Sequence, residues 1–257
     1  NVTLGGTASD CAAGDTPVPG DYDGDGKVDR AVWQSGSPYN WTAFGIFANV
    51  PWGAAGDIPV PADYDGDGKT DIAVWRPSDS TFYVKNQSNT QWGQSGDIPV
   101  AADYDGDGKA DLAVWRPSNG IWYVKNGLGA TFSGLATPYS DYVPVPGDYN
   151  GDGKMDPCLW HKTDGTWLCI DAATSSVIVD HVQWGDWSTW HDIPVPGDYN
   201  GDGKYELTTW RPSTAEWLVL DGDNYRAGSD FHPGMPVAVW GTAGDIPIPA
   251  AVNIGRP

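Results

Sequence analysis

The segment 56–78, GDIPVPADYDGDGKTDIAVWRPS, recurs nearly verbatim at residues 96–118, and with drift from Gly14, Asp141 and Asp192. Such self-similarity constrains the fold more than any composition, because each unit is a supersecondary module that must bury its faces against its neighbours. The first Asp of the acidic stretch falls at Asp21, Asp63, Asp103, Asp148 and Asp198, at intervals of 42, 40, 45 and 50 residues. A sixth start at residues 244–249 fades into Ala251 and Asn253 without rebuilding the stretch.

Each unit reads as four short strands. The first is the I-P-V-P stretch, and Pro at alternate positions puts it at a sheet edge, since Pro cannot donate to a ladder. The acidic loop follows, then an apolar strand such as residues 71–75, whose lack of polar alternation suits burial on both faces. A Pro-Ser turn leads to a third strand such as residues 121–124, and a fourth ends in Trp-Gly. Antiparallel units of this length predict an all-β, five-bladed β-propeller of four-stranded antiparallel blades, with the acidic loop between the first and second strand of each. One domain spans residues 1–257, with repeats at 15–56, 57–96, 97–141, 142–191 and 192–244 and ring closure by 1–14 and 245–257. Either terminus, or both, would latch the last blade to the first and remove an open edge.

The aromatic residues keep the same register. Column one is Trp33, Trp75, Trp115, Trp160 and Trp210; column two is Trp41, Phe82, Trp122, Trp167 and Trp217; column three is Trp52, Trp92, Phe132, Trp184 and Trp240. These columns take 13 of the 15 Trp, leaving Trp187 and Trp190. Packing between blades accounts for the columns, because large aromatics dominate cores.

The charge is explained by the loops. The chain carries 34 acids against 14 bases for a net −20, and only Glu206 and Glu216 among the acids are not Asp. In Asp63-x-Asp65-x-Asp67-Gly68-Lys69-x-Asp71, side-chain oxygens fall at positions 1, 3, 5 and 9 and position 7 offers its carbonyl. That spacing wraps a short loop round a hard cation, with Gly permitting the sharp turn; Ca²⁺ suits it better than Mg²⁺, which holds its waters in a tight octahedron. Without a cation the clustered carboxylates repel. The predicted ligands are Asp21, Asp23, Asp25, the Lys27 carbonyl and Asp29; Asp63, Asp65, Asp67, the Lys69 carbonyl and Asp71; Asp103, Asp105, Asp107, the Lys109 carbonyl and Asp111; Asp148, Asn150, Asp152, the Lys154 carbonyl and Asp156; and Asp198, Asn200, Asp202, the Lys204 carbonyl and Glu206. About five Ca²⁺ are expected, bound more weakly by the last two loops, where Asn removes a charge. Eighteen acids lie in the loops, which leaves 16 against 14 bases elsewhere.

D-x-D-x-D-G followed by D-[IL]-A-V resembles the FG-GAP/VCBS repeat of integrin α-subunit propellers, fungal propeller lectins and many secreted bacterial proteins. The likeness runs from Gly14 to Trp240. It implies a β-propeller with calcium in the loop between the first two strands of each blade, and its members usually have six or seven blades. It implies no single function.

Departures from the repeat point to a functional sector. From the column-three aromatic to the next Asp is five residues at Trp52–Asp57, Trp92–Asp97 and Trp240–Asp245, but eight from Trp184 to Asp192. The insertion lies in residues 186–191 and carries Trp187, Trp190 and His191. Trp on a loop either covers an edge or stacks on sugar rings while polar neighbours bond the hydroxyls. All four His (His161, His181, His191, His232) lie in the second half, as do the longest gaps between columns two and three, the last holding Asp221, Asp223, Tyr225, Arg226 and Asp230. Arg76, Arg116 and Arg211 follow column-one Trp, with His161 and Gln34 in their place in the other two units; an inter-blade pair with a repeated Asp such as Asp57 or Asp97 is expected, the alternative being a repeated binding pocket between blades. Cys158 and Cys169 fall at equivalent hairpin positions, open either to a disulfide or to two buried thiols; Cys11 stands apart.

The functional expectation is a secreted carbohydrate- or polysaccharide-binding propeller, a lectin or carbohydrate-binding module, with Trp187, Trp190 and His191 on the ligand. The alternatives are a polysaccharide lyase or glycoside hydrolase, for which Glu216 or a His–Tyr pair would supply the carboxylate or the base, and an adhesion module with a protein partner. No catalytic set is evident: neither Ser-His-Asp nor zinc-type spacing occurs. The acidity excludes a nucleic-acid partner. No apolar run reaches the ~20 residues of a membrane helix, so no membrane insertion is expected. The chain opens on no leader-like stretch and reads as a mature or trimmed segment.

Overall fold

The structure is a computed structural model that describes residues 15–36, 38–125, 128–132, 135, 137–220, 238–239, 242 and 245. Five four-stranded antiparallel sheets form a propeller ring. Blade one comprises β1 (Thr16–Pro17), β2 (Ala31–Gln34), β3 (Asn40–Ala43) and β4 (Phe47–Pro51). Blade two comprises β5 (Ile58–Pro59), β6 (Ala73–Arg76), β7 (Thr81–Val84) and β8 (Thr90–Gln91). Blade three comprises β9 (Ile98–Pro99), β10 (Ala113–Arg116), β11 (Ile121–Val124) and β12 (Gly129–Thr131). Blade four comprises β13 (Tyr142–Pro144), β14 (Cys158–His161), β15 (Thr166–Ile170) and β16 (Val177–Gln183). Blade five comprises β17 (Ile193–Pro194), β18 (Leu207–Arg211), β19 (Glu216–Leu220) and β20 (Ala238–Val239). Helix among the described residues is confined to one turn at Tyr139–Asp141 and to α1 (Trp187–Trp190). Among the described residues no helix is long and apolar enough to cross a membrane.

The Pro-rich first strand is short and sits at one edge of every sheet, as a strand with few donors must. The second strand is buried along nearly its whole length in every blade. Columns one and two pair directly across their hairpins, Trp75 opposite Phe82 and Trp115 opposite Trp122. Most of these rings are fully buried, each worth about 5 kcal/mol by area burial. Their N–H groups converge on one acceptor: Trp160 and Trp167 both donate to the Trp184 carbonyl, at 3.1 and 2.8 Å. Column three then ties blade to blade, because Trp52 Nε1 donates to Tyr83 O of the next blade at 3.0 Å and Trp184 Nε1 to Leu218 O at 3.0 Å. Phe132 has no N–H to give, and in the same blade Trp115 Nε1 is buried without a partner.

The Arg–Asp pairs form, but inside a blade rather than between blades. Arg76 grips Asp57 through two bonds of 2.7 and 2.9 Å, and Arg116 and Arg211 grip Asp97 and Asp192 in the same way. Each Asp also accepts an N–H of the turn that leads into its blade, Ala54 for Asp57 at 2.8 Å and Gln94 for Asp97 at 2.9 Å. The pair therefore braces the connector. The turn recurs at Thr242–Asp245, so the sixth start keeps the connector geometry. Cys158 pairs with Cys169 across β14 and β15 and the two are joined by a disulfide. Ring closure through residues 1–14 and 246–257, Cys11, Trp240, His232 and the 221–230 cluster lie outside the described residues.

Candidate metal centres and the irregular sector

The five acidic loops share one hydrogen-bond plan. The first Asp accepts the N–H groups of both glycines: Asp63 takes Gly66 at 2.7 Å and Gly68 at 2.8 Å, and Asp198 takes Gly201 and Gly203 at 2.6 and 3.1 Å. Both glycines adopt left-handed backbone in every loop (φ +80° and +83° at Gly66 and Gly68), which a side chain there would strain. The position-nine acid accepts the N–H of the Tyr at position two, as Asp71 does from Tyr64 at 3.0 Å and Glu206 from Tyr199 at 2.6 Å. That Tyr in turn donates its hydroxyl to the carbonyl of the Val just after the first strand, at 2.6–2.8 Å in all five blades. The Tyr recurs in every loop of the sequence; its role was missed because it carries no ligand chemistry.

Backbone bonds thus curl the carboxylates inward. Ligand oxygens of Asp21, Asp23 and Asp29 lie within 4.8 Å of one another, as do those of Asp63, Asp65 and Asp71, of Asp103, Asp105 and Asp111, and of Asp198, Asp202 and Glu206. A set of converging carboxylate oxygens fits a hard divalent cation. The position-five acids Asp25, Asp67 and Asp107 stand outside these groups; Asp25 instead bonds Lys27 Nζ at 2.6 Å. In loop four Asp156 spends one oxygen on Tyr149 N–H and the other on Ala172 N–H, both at 3.1 Å, and Asn150 turns its amide to Asp171. Burial, offset in part by the Tyr N–H and reinforced by neighbouring carboxylates, pushes Asp71 and Asp111 up to about 6. Burial, again against two backbone N–H bonds, takes Asp156 up to about 7.

Neighbouring loops also touch. The residue before the position-nine acid donates its N–H to the first Asp carbonyl of the preceding loop: Thr70 to Asp21, Ala110 to Asp63, Met155 to Asp103 and Tyr205 to Asp148, at 2.6–2.8 Å. The Lys side chain of one loop lies over a glycine of the loop before it, Lys69 over Gly24 and Lys109 over Gly66.

The insertion between blades four and five folds into α1. Asp186 caps it, accepting Thr189 N–H at 3.0 Å, and His191 ends it in a left-handed conformation (φ 57°). Trp187 and Trp190 are 41% and 45% exposed, against the buried Trp of columns one and two. His191 stands edge-on to Trp187 at 5.3 Å. Arg211 lies 4.8 Å from the centre of the Trp190 ring. In blades two and three Arg76 and Arg116 lie over Tyr83 and Tyr123 at 4.3 and 4.2 Å. Blade five has Leu218 at that position, and Trp190 takes over as the aromatic partner. Glu216 accepts the Thr214 hydroxyl at 2.7 Å.

Blade four departs further. Tyr142 pairs with His161 where Asp and Arg stand in blades two, three and five, so both members of the ion pair are replaced. The two rings stack at 4.5 Å and 24°.

No curated protein matches the chain. Residues 103–156 match the FG-GAP-like repeat family. A solved lectin from Agrocybe aegerita, described for its specific recognition of non-reducing terminal N-acetylglucosamine, superposes on 80% of this chain with a TM-score of 0.53 and 13% identity. The match spans 62% of that lectin, and at this identity it speaks for the fold. The chain is thus a five-bladed β-propeller whose residues 103–156 are similar to the FG-GAP-like repeat.

Proposed function

We propose that this propeller is a secreted, calcium-stabilised module that binds carbohydrate through Trp187, Trp190 and His191. One observation carries the reading: two half-exposed indoles stand on the only insertion between a column-three Trp and the next blade that brings surplus Trp. Exposed aromatic faces suit the apolar faces of sugar rings, and polar groups at their edges suit hydroxyls. Arg211 steadies the Trp190 ring, and the indole, 45% exposed, keeps surface for a ligand. His191, Ser188 and Thr189 supply polar atoms beside the rings. The fold likeness to a fungal lectin is compatible with this use. Calcium is assigned to the five loops because their donor oxygens are hard, converge in loops one, two, three and five, and share one backbone hydrogen-bond plan with loop four.

A glycan array read with and without calcium tests the proposal. The protein should bind, and Trp187→Ala and Trp190→Ala should each abolish the signal without loss of fold. Retention of binding by both variants removes the site. Capture of a protein ligand with no glycan signal would replace the reading with adhesion, and new reducing ends in a polysaccharide digest would replace it with an enzyme.

A further inference from the structure

Blade four contains a second departure that sugar binding does not use. In blades two and three the position beside the Arg–Asp pair is filled by Tyr83 or Tyr123. In blade four it is Leu168, and the pair itself is Tyr142 and His161. The smaller side chain leaves a cleft of about 120 Å³ among Leu135, Tyr142, His161, Thr166 and His181, with Asp164 at its rim. His181 reaches it because β16 bulges: Trp167 pairs with Val182 and Cys169 with Val179, so Asp180 and His181 together stand opposite Leu168. Bulges re-aim side chains in this way.

The hydrogen bonds fix the chemistry of both imidazoles. His161 Nδ1 is 2.8 Å from Asp164 Oδ1, and His181 Nδ1 is 2.6 Å from Asp180 Oδ1. An ionised carboxylate only accepts, so Nδ1 carries the proton in each ring and Nε2 of each neutral ring keeps its lone pair. Asp164 Oδ1 also accepts Thr166 N–H at 3.0 Å, which holds the carboxylate in place. Two histidines on one cleft, each oriented through Nδ1 by a carboxylate, reproduce the outer-shell arrangement that orients metal-bound imidazoles. The cleft is well below the roughly 300 Å³ at which small-molecule pockets begin. It has room for an ion and a few waters, each taking about 30 Å³.

We propose that His161 and His181 bind a borderline divalent cation of the zinc, nickel or copper class through their Nε2 atoms. Imidazole selects such ions over Ca²⁺, which takes oxygen ligands, so the site is chemically separate from the acidic loops. Asp164 serves by holding His161, and water completes the coordination.

The test is calorimetric titration of the whole chain with NiCl₂ in millimolar CaCl₂, which keeps the loops supplied with calcium. One saturable site is expected, weakened at least tenfold by His181→Gln and by His161→Gln and unaffected by His191→Gln. Asp164→Asn should weaken it by about tenfold or more through loss of orientation. His161 packs on Tyr142 and its variant risks misfolding; His181 is half exposed, so its variant keeps the test decisive. Cu²⁺ spectra should report two equatorial imidazole nitrogens in the parent and one in His181→Gln. No saturable nickel site in the parent, or a site indifferent to His181→Gln, overturns the proposal.

Discussion

Blades two and three are near copies, whereas blades four and five solve the same problem differently. In the copies, a buried Asp, a bidentate Arg and a covering Tyr brace the connector. Blade five keeps Arg211 and Asp192 but borrows Trp190 from the insertion as the covering ring. Blade four discards the ion pair for stacked Tyr142 and His161 and gains a cleft. The ring tolerates these exchanges because each blade needs only a filled position there, not one particular interaction. Regular blades spend the position on stability, and irregular ones free it for the ligands proposed above.

The largest test of this contrast is cation removal. Bound metal stabilises only the folded state, by about 2.7 kcal/mol per site at a hundredfold excess over Kd. Chelation should therefore lower the melting temperature by more than ~10 °C. Calorimetric back-titration should show loops one to three filling before loops four and five, which carry Asn150 and Asn200. Five equal sites would erase the distinction between the two halves, and an unchanged melt in chelator would remove the cations altogether.

Next in size is the connector brace. Arg116→Ala strands the buried Asp97 carboxylate and should cost about 3 kcal/mol in urea unfolding. His161→Ala loses a ring stack and the bond to the solvent-exposed Asp164 carboxylate but strands no buried charge, and about 1 kcal/mol is expected. Equal costs would mean that blade four retains a hidden ionic brace.

The pH dependence should change sign with calcium. Asp71 and Asp111 at about 6 and Asp156 at about 7 sit above the ordinary unfolded value near 4. In chelator the native state then holds more protons than the unfolded chain through this window, so stability falls as pH rises from about 4 to 7. With calcium present, protons compete with the ion for the same oxygens, and stability rises over the same interval. Melting curves at several pH values, with and without chelator, check both slopes.

The smallest effect separates the two exposed Trp. Trp190→Ala removes the ring beside Arg211 and should cost about 0.5–1 kcal/mol. Trp187→Ala should leave the melting temperature within about 1 °C, because its contact to His191 is at the surface.

The ring architecture was legible in the chain because a repeat states its fold five times. Strand positions, aromatic columns and loop spacing each recur in register, and observed β11 matches residues 121–124. The pairing of Arg76 was misjudged because the connector belongs in sequence to the gap between blades, whereas in space its Asp lies beside β6 of the blade it enters. In blade four the drifted repeat starts at Asp141, which hides that Tyr142 stands at the Asp57 position; the replacement of Arg by His161 is legible in the sequence, its pairing with Tyr142 only in the register. That His161 and His181 line one cleft depends on a bulge in β16, and no spacing in the sequence announces a bulge. Trp187 and Trp190 stood out because they lacked a column, but the service of Trp190 to Arg211 required the loss of Tyr at Leu218 to be read across blades.

The loop-to-loop bonds have a consequence for how the ring loads. The first Asp of a loop offers its side chain to its own glycines and its carbonyl to the next loop, immediately before that loop's position-nine acid. An ion that fixes one loop therefore pre-orders its neighbour. Filling should be cooperative along a nearest-neighbour chain, with a Hill slope above one and vacancies gathered in runs rather than scattered among the blades.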